Sequence, residues 1–362
     1  MMSTDHQTTI AQIIAVLYQI APAHLCMDGD PHGLLIGDPD APVSHLVVSL
    51  DVTPAVVDEA VRRGAQMIVA HHPLIYNPIR RLVADGSFPG GVVLTCARAG
   101  IAVACAHTNW DIAEGGINDV LAGLLNLRDT RPVRATYRES LVNITLYVPL
   151  ENRAAVFAAM TDAGAGFLTG SLYDQCGFWA TGTGTFQPRA GADPYVTGPL
   201  TENRLEMLAP AATLPQILAA MRASHPYEEV AYNVFPLANT GKEWGIGRVG
   251  TLTEPMTRTE LLQRVRTALG FDAVRFRGGD EDAPIRTVAV GGGACAFLVE
   301  DAIRQGADAL ITSDVRHHEF VDAEARGFLL VDAGHRETET PGTRELARRL
   351  GEELPELTVD FL

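Results

Sequence analysis

The sequence predicts an α/β protein whose main domain carries a mostly parallel sheet and is interrupted by a smaller α+β domain. Three observations predict it. Short apolar runs alternate with amphipathic segments through residues 1–129, which is how buried parallel strands and their covering helices read. Residues 139–236 carry the order β-α-β-β-α-β. The α/β alternation resumes in residues 251–362, so the domains are expected at 1–129, 130–250 and 251–362, with the first and third forming one body.

Each element has its own signal. Residues 8–20 form an opening amphipathic helix, and His45–Leu50 is an apolar strand ending at Asp51. Thr53-Pro54 opens a helix through Arg63, with Thr as N-cap and Pro in the first turn. Gln66–Ala70 is a buried strand that stops at His71-His72-Pro73; 91–99 is helical; Ile101–Ala106 is a strand that runs into His107-Thr-Asn-Trp-Asp111. This alternation predicts a doubly wound sheet. In the middle segment, strands at 139–149, 174–184, 204–208 and 229–236 and helices at 151–163 and 213–223 give the split βαβ, ferredoxin-like order. A helix over 257–269 and strands at 286–291, 308–312 and 328–332 complete the main domain.

Composition narrows the function. The chain has 362 residues and a formal net charge of −16, with 47% hydrophobic and 20% charged residues. So acidic a surface repels a phosphate backbone unless basic residues cluster, and Arg62-Arg63 and Arg80-Arg81 are only doublets, so nucleic acid is not an expected partner. The five cysteines are scattered without a Cys-x-x-Cys pair; neither a disulfide framework nor a thiolate zinc site is indicated. With no long apolar span and no signal-like N-terminus, a cytoplasmic protein without membrane contact is expected.

The chemistry is expected at strand ends, where open α/β sheets bind ligands. Three polar clusters directly follow apolar strands: His71-His72, His107 with Asp111, and His335 with Glu339. Adjacent imidazoles at a strand end point apart and suit two ions better than one, while a carboxylate bridges two cations and offsets their repulsion. His335 and Glu339 are four apart, so one helical turn aims both at one point; Glu337 is a rival carboxylate at a less favourable offset. Each cluster also has an ordinary reading. Histidine pairs occur on loops without ligands; Asp111 could cap a helix near Ile112; Glu339 could be a first-turn acid ahead of Pro341. Jointly, His71, His72, Asp111, His335 and Glu339 are a mixed nitrogen and oxygen set suited to two divalent ions, Zn²⁺ first, with Mn²⁺ or Fe²⁺ as alternatives. Gly291-Gly-Gly-Ala-Cys295 follows a strand but lacks the lysine of a phosphate loop. His225-Pro-Tyr-Glu-Glu229 reads as a helix-to-strand turn rather than an active motif.

Ile68-Val-Ala-His-His-Pro-Leu-Ile75, His107-Thr-Asn-Trp-Asp111, Ser224–Val234, Gly245-Ile-Gly-Arg-Val-Gly250, Gly306–Asp314 with His318, and Gly334-His335 with Glu339 occur in this order, and together they resemble the NIF-three-like family. Its members carry the description GTP cyclohydrolase 1 type 2 homologue. The resemblance implies a toroidal homohexamer, a trimer of dimers, with dinuclear centres facing an internal cavity. It implies His71 and His72 as ligands to one ion each, with Asp111, His335 and a bridging Glu339. The inserted domain resembles the signalling-protein and copper-tolerance fold. Two departures stand out: Asp28-Gly-Asp-Pro-His-Gly-Leu34 replaces the family's usual Asp-Asn-x-Gly-Leu, and Ser313 stands where glycine is usual. Two functions follow as expectations. The first is a metal-dependent hydrolase acting on a small, nucleotide-like substrate, with His107, His318 or Glu337 moving protons. The second is a non-catalytic metal-binding scaffold or metal chaperone.

Overall fold

The structure, a computed structural model, describes residues 7–83, 87–187, 189 and 198–362. In chain order the elements are α1 (Ile10–Ile20), β1 (Gly33–Ile36), β2 (His45–Ser49), α2 (Pro54–Arg63), β3 (Met67–Ala70), α3 (Gly90–Ala99), β4 (Ala102–Cys105), α4 (Thr108–Ile112), α5 (Ile117–Leu124), β5 (Arg128–Pro149), α6 (Arg153–Asp162), β6 (Gly177–Gly184) and β7 (Leu200–Pro210). They continue with α7 (Leu214–Ser224), β8 (Tyr232–Met256), α8 (Arg258–Leu269), β9 (Arg275–Arg277), β10 (Ile285–Val290), α9 (Val299–Arg304), β11 (Ala309–Thr312), α10 (His317–Ala325), β12 (Leu329–Asp332), α11 (His335–Glu353) and β13 (Thr358–Phe361). Two compact units result, one of residues 1–136 and 244–362 and the other of 137–243, with the divisions falling inside β5 and β8.

The first unit holds two groups of strands where one doubly wound sheet was expected. In one sheet the order is β1-β4-β3-β2-β13. Its β2, β3, β4 and β13 are parallel neighbours, and β1 closes the edge antiparallel to β4. In the other, β10, β11 and β12 run parallel, flanked by antiparallel β8 and β9. Every residue of β3, β4, β11 and β12 is buried, as strands covered on both faces must be. Val47, Ile68 and Val103 pack with Val57, Ala60 and Cys96 from the helices. Val288, Ile311 and Val331 do the same with Leu121, Leu261 and Val265.

Local signals acted where they were read. The Thr53 hydroxyl accepts from Val56 N–H with Pro54 beside it, and Gly64 ends α2 at φ 72°. Thr257 and Glu260 form a capping box on α8. One boundary moved: α11 runs through Pro341 to Glu353 instead of closing ahead of it. The proline removes one N–H, which leaves the Glu337 carbonyl without its usual partner, but the buried face of Thr338, Glu339, Thr343, Leu346 and Leu350 continues past it.

In the second unit β6, β7 and β5 form an antiparallel sheet. Helices α6 and α7 bury Val156, Met160, Ile217 and Met221 against Ile144, Leu146 and Leu205. The 225–229 segment is structural. Nδ1 of His225 accepts from Tyr227 N–H at 3.1 Å, and its Nε2 donates to Tyr147 O at 3.0 Å, tying the end of α7 to β5. Burial lowers its pKa, in keeping with the neutral ring this bonding requires.

Candidate metal centre

The parallel strands of the first unit deliver the site residues at their carboxyl ends. Beyond β2 stands Asp51, beyond β3 stand His71 and His72, and beyond β4 stand His107 and, on α4, Asp111. In the other sheet, β11 leads to Asp314 and β12 to His335 and Glu339 on α11. The ladder extends past the strands: His71 N–H donates to Ser49 O at 3.0 Å and His72 N–H to Leu50 O at 2.9 Å. Backbone pairing thus fixes both histidines before any side-chain contact forms.

Glu339 lies at the middle. Its Oε1 is 3.7 Å from His71 Nε2, which is 3.6 Å from Asp111 Oδ1. Its Oε2 is 3.0 Å from His72 Nε2 and 3.1 Å from His335 Nε2. The first set is buried: His71, Asp111 and Glu339 are 0%, 6% and 3% exposed. The second is more open, with side-chain exposures of 25% for His72 and 35% for His335.

Each imidazole is held by the nitrogen that faces away from Glu339. Nδ1 of His71 meets Ala106 O at 3.0 Å, Nδ1 of His72 meets Asp51 Oδ1 at 2.8 Å, and Nδ1 of His335 meets Asp314 Oδ2 at 2.6 Å. A carbonyl or carboxylate only accepts, so each Nδ1 carries the proton and, in the neutral ring, each Nε2 presents a lone pair. This is how metal-ligating histidines are oriented.

With these rings neutral, as a cation requires, the donor atoms converge without protons to join them. His72 and His335 bring their Nε2 atoms to 3.2 Å, and two lone pairs at that distance repel unless a cation or proton lies between them. His71 Nε2 and Asp111 Oδ1 are buried without a hydrogen-bond partner among the described residues. Burying such groups unpaired costs several kcal/mol each. Donors around one divalent ion at about 2.0–2.2 Å lie about 3–4 Å apart, close to the spacings found, so the residues fit a divalent cation.

The protonation pattern reflects the same convergence. Burial opposes protonation of His72, yet Asp51 and Glu339 raise its pKa to about 10. A hydrogen bond with Glu339 leads in raising His335 to about 9. Burial raises the Asp111 carboxyl against the pull of His71. Burial also works against ionisation of Glu339, but the surrounding histidines hold it well below the usual carboxylate range.

The surrounding structure fixes the two acidic residues relative to each other. Asn109 Nδ2 donates to Ala21 O at 2.7 Å, and Trp110 Nε1 donates to Gly342 O on α11 at 3.0 Å. Asn118 Nδ2 donates to Asp111 O at 2.9 Å, while its Oδ1 accepts from Gly292 N–H at 2.9 Å. Asp111 lies inside the five-residue α4 and caps no helix.

Other expectations are placed as follows. One nitrogen each of His71, His72 and His107 lies within 4.8 Å of the others, and the same holds for the donors of His72, His335 and Glu339. His318 is exposed on α10 and joins neither group. Glu337 also joins neither: its carboxylate folds over Gly334, where a β-carbon would stand 2.2 Å from its Oε2. The glycine run at 291–293 is no phosphate loop. Its N–H groups already serve Ile311 O, Asn118 Oδ1 and Thr338 Oγ1, and α9 beyond it has six residues. Sequence reading singled out neither Asp30 nor Asp314 as an anchor of a site histidine; a carboxylate just past a strand end, as at Asp314, was the available signal.

A family model described as Duf34/NIF3 (NGG1p interacting factor 3) matches residues 8–362. A Bacillus subtilis protein named GTP cyclohydrolase 1 type 2 homolog is 39% identical over 329 residues, covering 90% of this chain and 87% of that protein. The crystal structure of a Bacillus cereus protein related to NIF3 superposes with a TM-score of 0.90 at 36% identity, over 98% of this chain and 96% of that one. The Staphylococcus aureus protein SA1388, at 24% identity and a TM-score of 0.81 over 98% of this chain and 96% of that one, shares the fold.

Proposed function

This chain belongs to the Duf34/NIF3 family, and from that premise we propose that it is a hydrolase using two divalent metal ions per subunit on a nucleotide-like substrate. The carrying observation is the division of Glu339: Oε1 faces His71, itself beside Asp111, while Oε2 faces His72 and His335. A carboxylate so shared is suited to bridge two cations. One cation would be held by His71, Asp111 and Glu339, the other by His72, His335 and Glu339. Zn²⁺ suits the donor set best, with Mn²⁺ and Fe²⁺ as alternatives.

The cations would supply Lewis acidity, bringing a water's pKa toward neutrality and polarising the bond attacked. The chain's residues supply the rest. Asp51, Asp314 and the Ala106 carbonyl keep each imidazole in the ligating tautomer. The buried wall of Asp111 and Glu339 limits water on one side, while the exposed edges of His72 and His335 leave the other open to substrate. The substrate class rests on the relatives' name. We infer further that the second unit is a ferredoxin-like module, since its elements follow the β-α-β-β-α-β order, and that the protein is a cytoplasmic homohexamer. Its edge strand β6, with Phe178 65% exposed, offers an apolar contact for such assembly.

The test is a hydrolysis screen of metal-loaded protein against nucleoside triphosphates and phosphoesters, beside His71→Ala. Turnover lost in the variant supports the hydrolase. Metal bound and exchanged by the native chain with no turnover on any substrate replaces it with a metal carrier or scaffold.

A further inference from the structure

We infer that His107, positioned by Asp30, is a sixth ligand residue of this centre, closing the coordination of the inner cation at His71, Asp111 and Glu339 Oε1. The cation at His72 and His335 would then be the open one. The inference rests on the dinuclear reading above.

His107 is held as the three expected ligand histidines are. Its Nδ1 lies 2.8 and 3.0 Å from the two oxygens of Asp30, so Nδ1 carries the proton and the neutral ring presents Nε2 as a lone pair. The anchor is itself held. Thr108 Oγ1 donates to Asp30 Oδ2 at 2.6 Å, and Thr108 N–H donates to the same oxygen at 3.2 Å. A carboxylate only 7% exposed and so bonded is far more than an unconstrained surface histidine needs. Nε2 hydrogen-bonds to nothing among the described residues.

The His107 ring lies nearer His71, of the inner set, than His72. The His107 ring centroid is 5.2 Å from that of His71 and 5.7 Å from that of His72, and the edge of Tyr76 covers it at 6.5 Å. One nitrogen of His107 lies within 4.8 Å of those of His71 and His72, a grouping that could hold a metal ion. The inner set would become two nitrogens and two oxygens, a closed four-coordinate arrangement. The outer set keeps three protein donors and a free position, as catalytic sites do.

The experiment titrates metal-free, full-length protein with Zn²⁺ by calorimetry and with Co²⁺ by visible absorption, for the native chain, His107→Ala and Asp30→Asn. The native chain should take two ions with distinct affinities. His107→Ala should weaken one by about 10–100-fold, leave the other unchanged, and remove the four-coordinate Co²⁺ band. Asp30→Asn should weaken the same ion by a smaller factor. Unchanged affinities and spectra in both variants overturn the inference. So does an equal loss at both sites with a lowered melting temperature, which marks His107 as a fold residue. A native chain that takes up neither ion overturns the dinuclear reading itself.

Discussion

Gly293 lies against Glu339 so closely that a β-carbon there would stand 2.1 Å from Glu339 Oε1 and 3.3 Å from His335 Nε2. Its backbone is also in the left-handed region, at φ 65°, where a side chain costs about 1–2 kcal/mol. Gly293→Ala should therefore displace Glu339 and weaken metal binding by more than tenfold, while lowering stability by only about 1–3 kcal/mol. Calorimetric metal titration beside chemical denaturation separates the two. Native metal affinity in the variant would show that Glu339 does not hold the cation.

Asp51 acts on the site through the His72 ring, Nδ1 to Oδ1 at 2.8 Å. Removing that acceptor frees the tautomer and the ring orientation. Asp51→Ala should lower metal affinity by about 10–100-fold with little change in melting temperature of the metal-free protein, because Asp51 is about half exposed at 47%. Metal content after dialysis against a weak chelator checks it.

The metal-free and metal-loaded proteins should differ in their response to pH. His72 and His335 have folded-state pKa values near 10 and 9 against an ordinary 6.5. A raised value means the folded state binds the proton more tightly. That stabilisation is complete below about pH 6.5 and is lost as pH rises through 9 to 10. Asp51, Asp30 and Glu339 are lowered, so their contribution is present above the ordinary carboxylate range and fades only as acid reaches their folded values. Melting temperature without metal should fall between pH 7 and pH 10. Cations compete with the same protons, so the rise in melting temperature on adding Zn²⁺ should grow over that window. A metal-induced rise that shrinks across it would contradict the ligand assignment.

The strand ends were legible because four- and five-residue apolar runs such as Met67–Ala70 must be buried, and a polar residue directly after one marks the rim. His71, His72, Asp111, His335 and Glu339 could be singled out on that basis. The anchors Asp30 and Asp314 could not, since their partners are 77 and 21 residues away and only the folded chain joins them. Strands β1, β9 and β13, of three or four residues, are too short to show a period. The long reach of β5 was hidden for another reason. Arg128, Asp129, Arg131, Arg134 and Arg138 break any apolar alternation, and the strand there is held by pairing and by contacts such as Arg134 with Asp301.

Arg248 shows what the Gly245–Gly250 block does. It is 5% exposed, pairs with Asp119, and donates to the carbonyls of Gly245 at 2.8 Å, Gly247 at 3.0 Å and Ile112 at 3.0 Å. Ile112 directly follows Asp111, so the guanidinium fixes the backbone next to an expected ligand. Gly247, at φ 68°, leaves no room for a β-carbon beside Leu298 and the Val290 carbonyl, and so lets the strand pass close enough for these bonds. Truncation would take the donor from three carbonyls and leave Asp119, whose side chain is 26% exposed, with the Gly115 N–H at its Oδ2. Arg248→Ala should cost about 1–3 kcal/mol, the range for leaving buried polar groups unsatisfied. Arg248→Lys, with one ammonium in place of a planar fork, should recover only part of it. Urea denaturation of the three proteins measures the loss, and a lysine variant as stable as the native chain would reduce Arg248 to a simple counter-charge for Asp119.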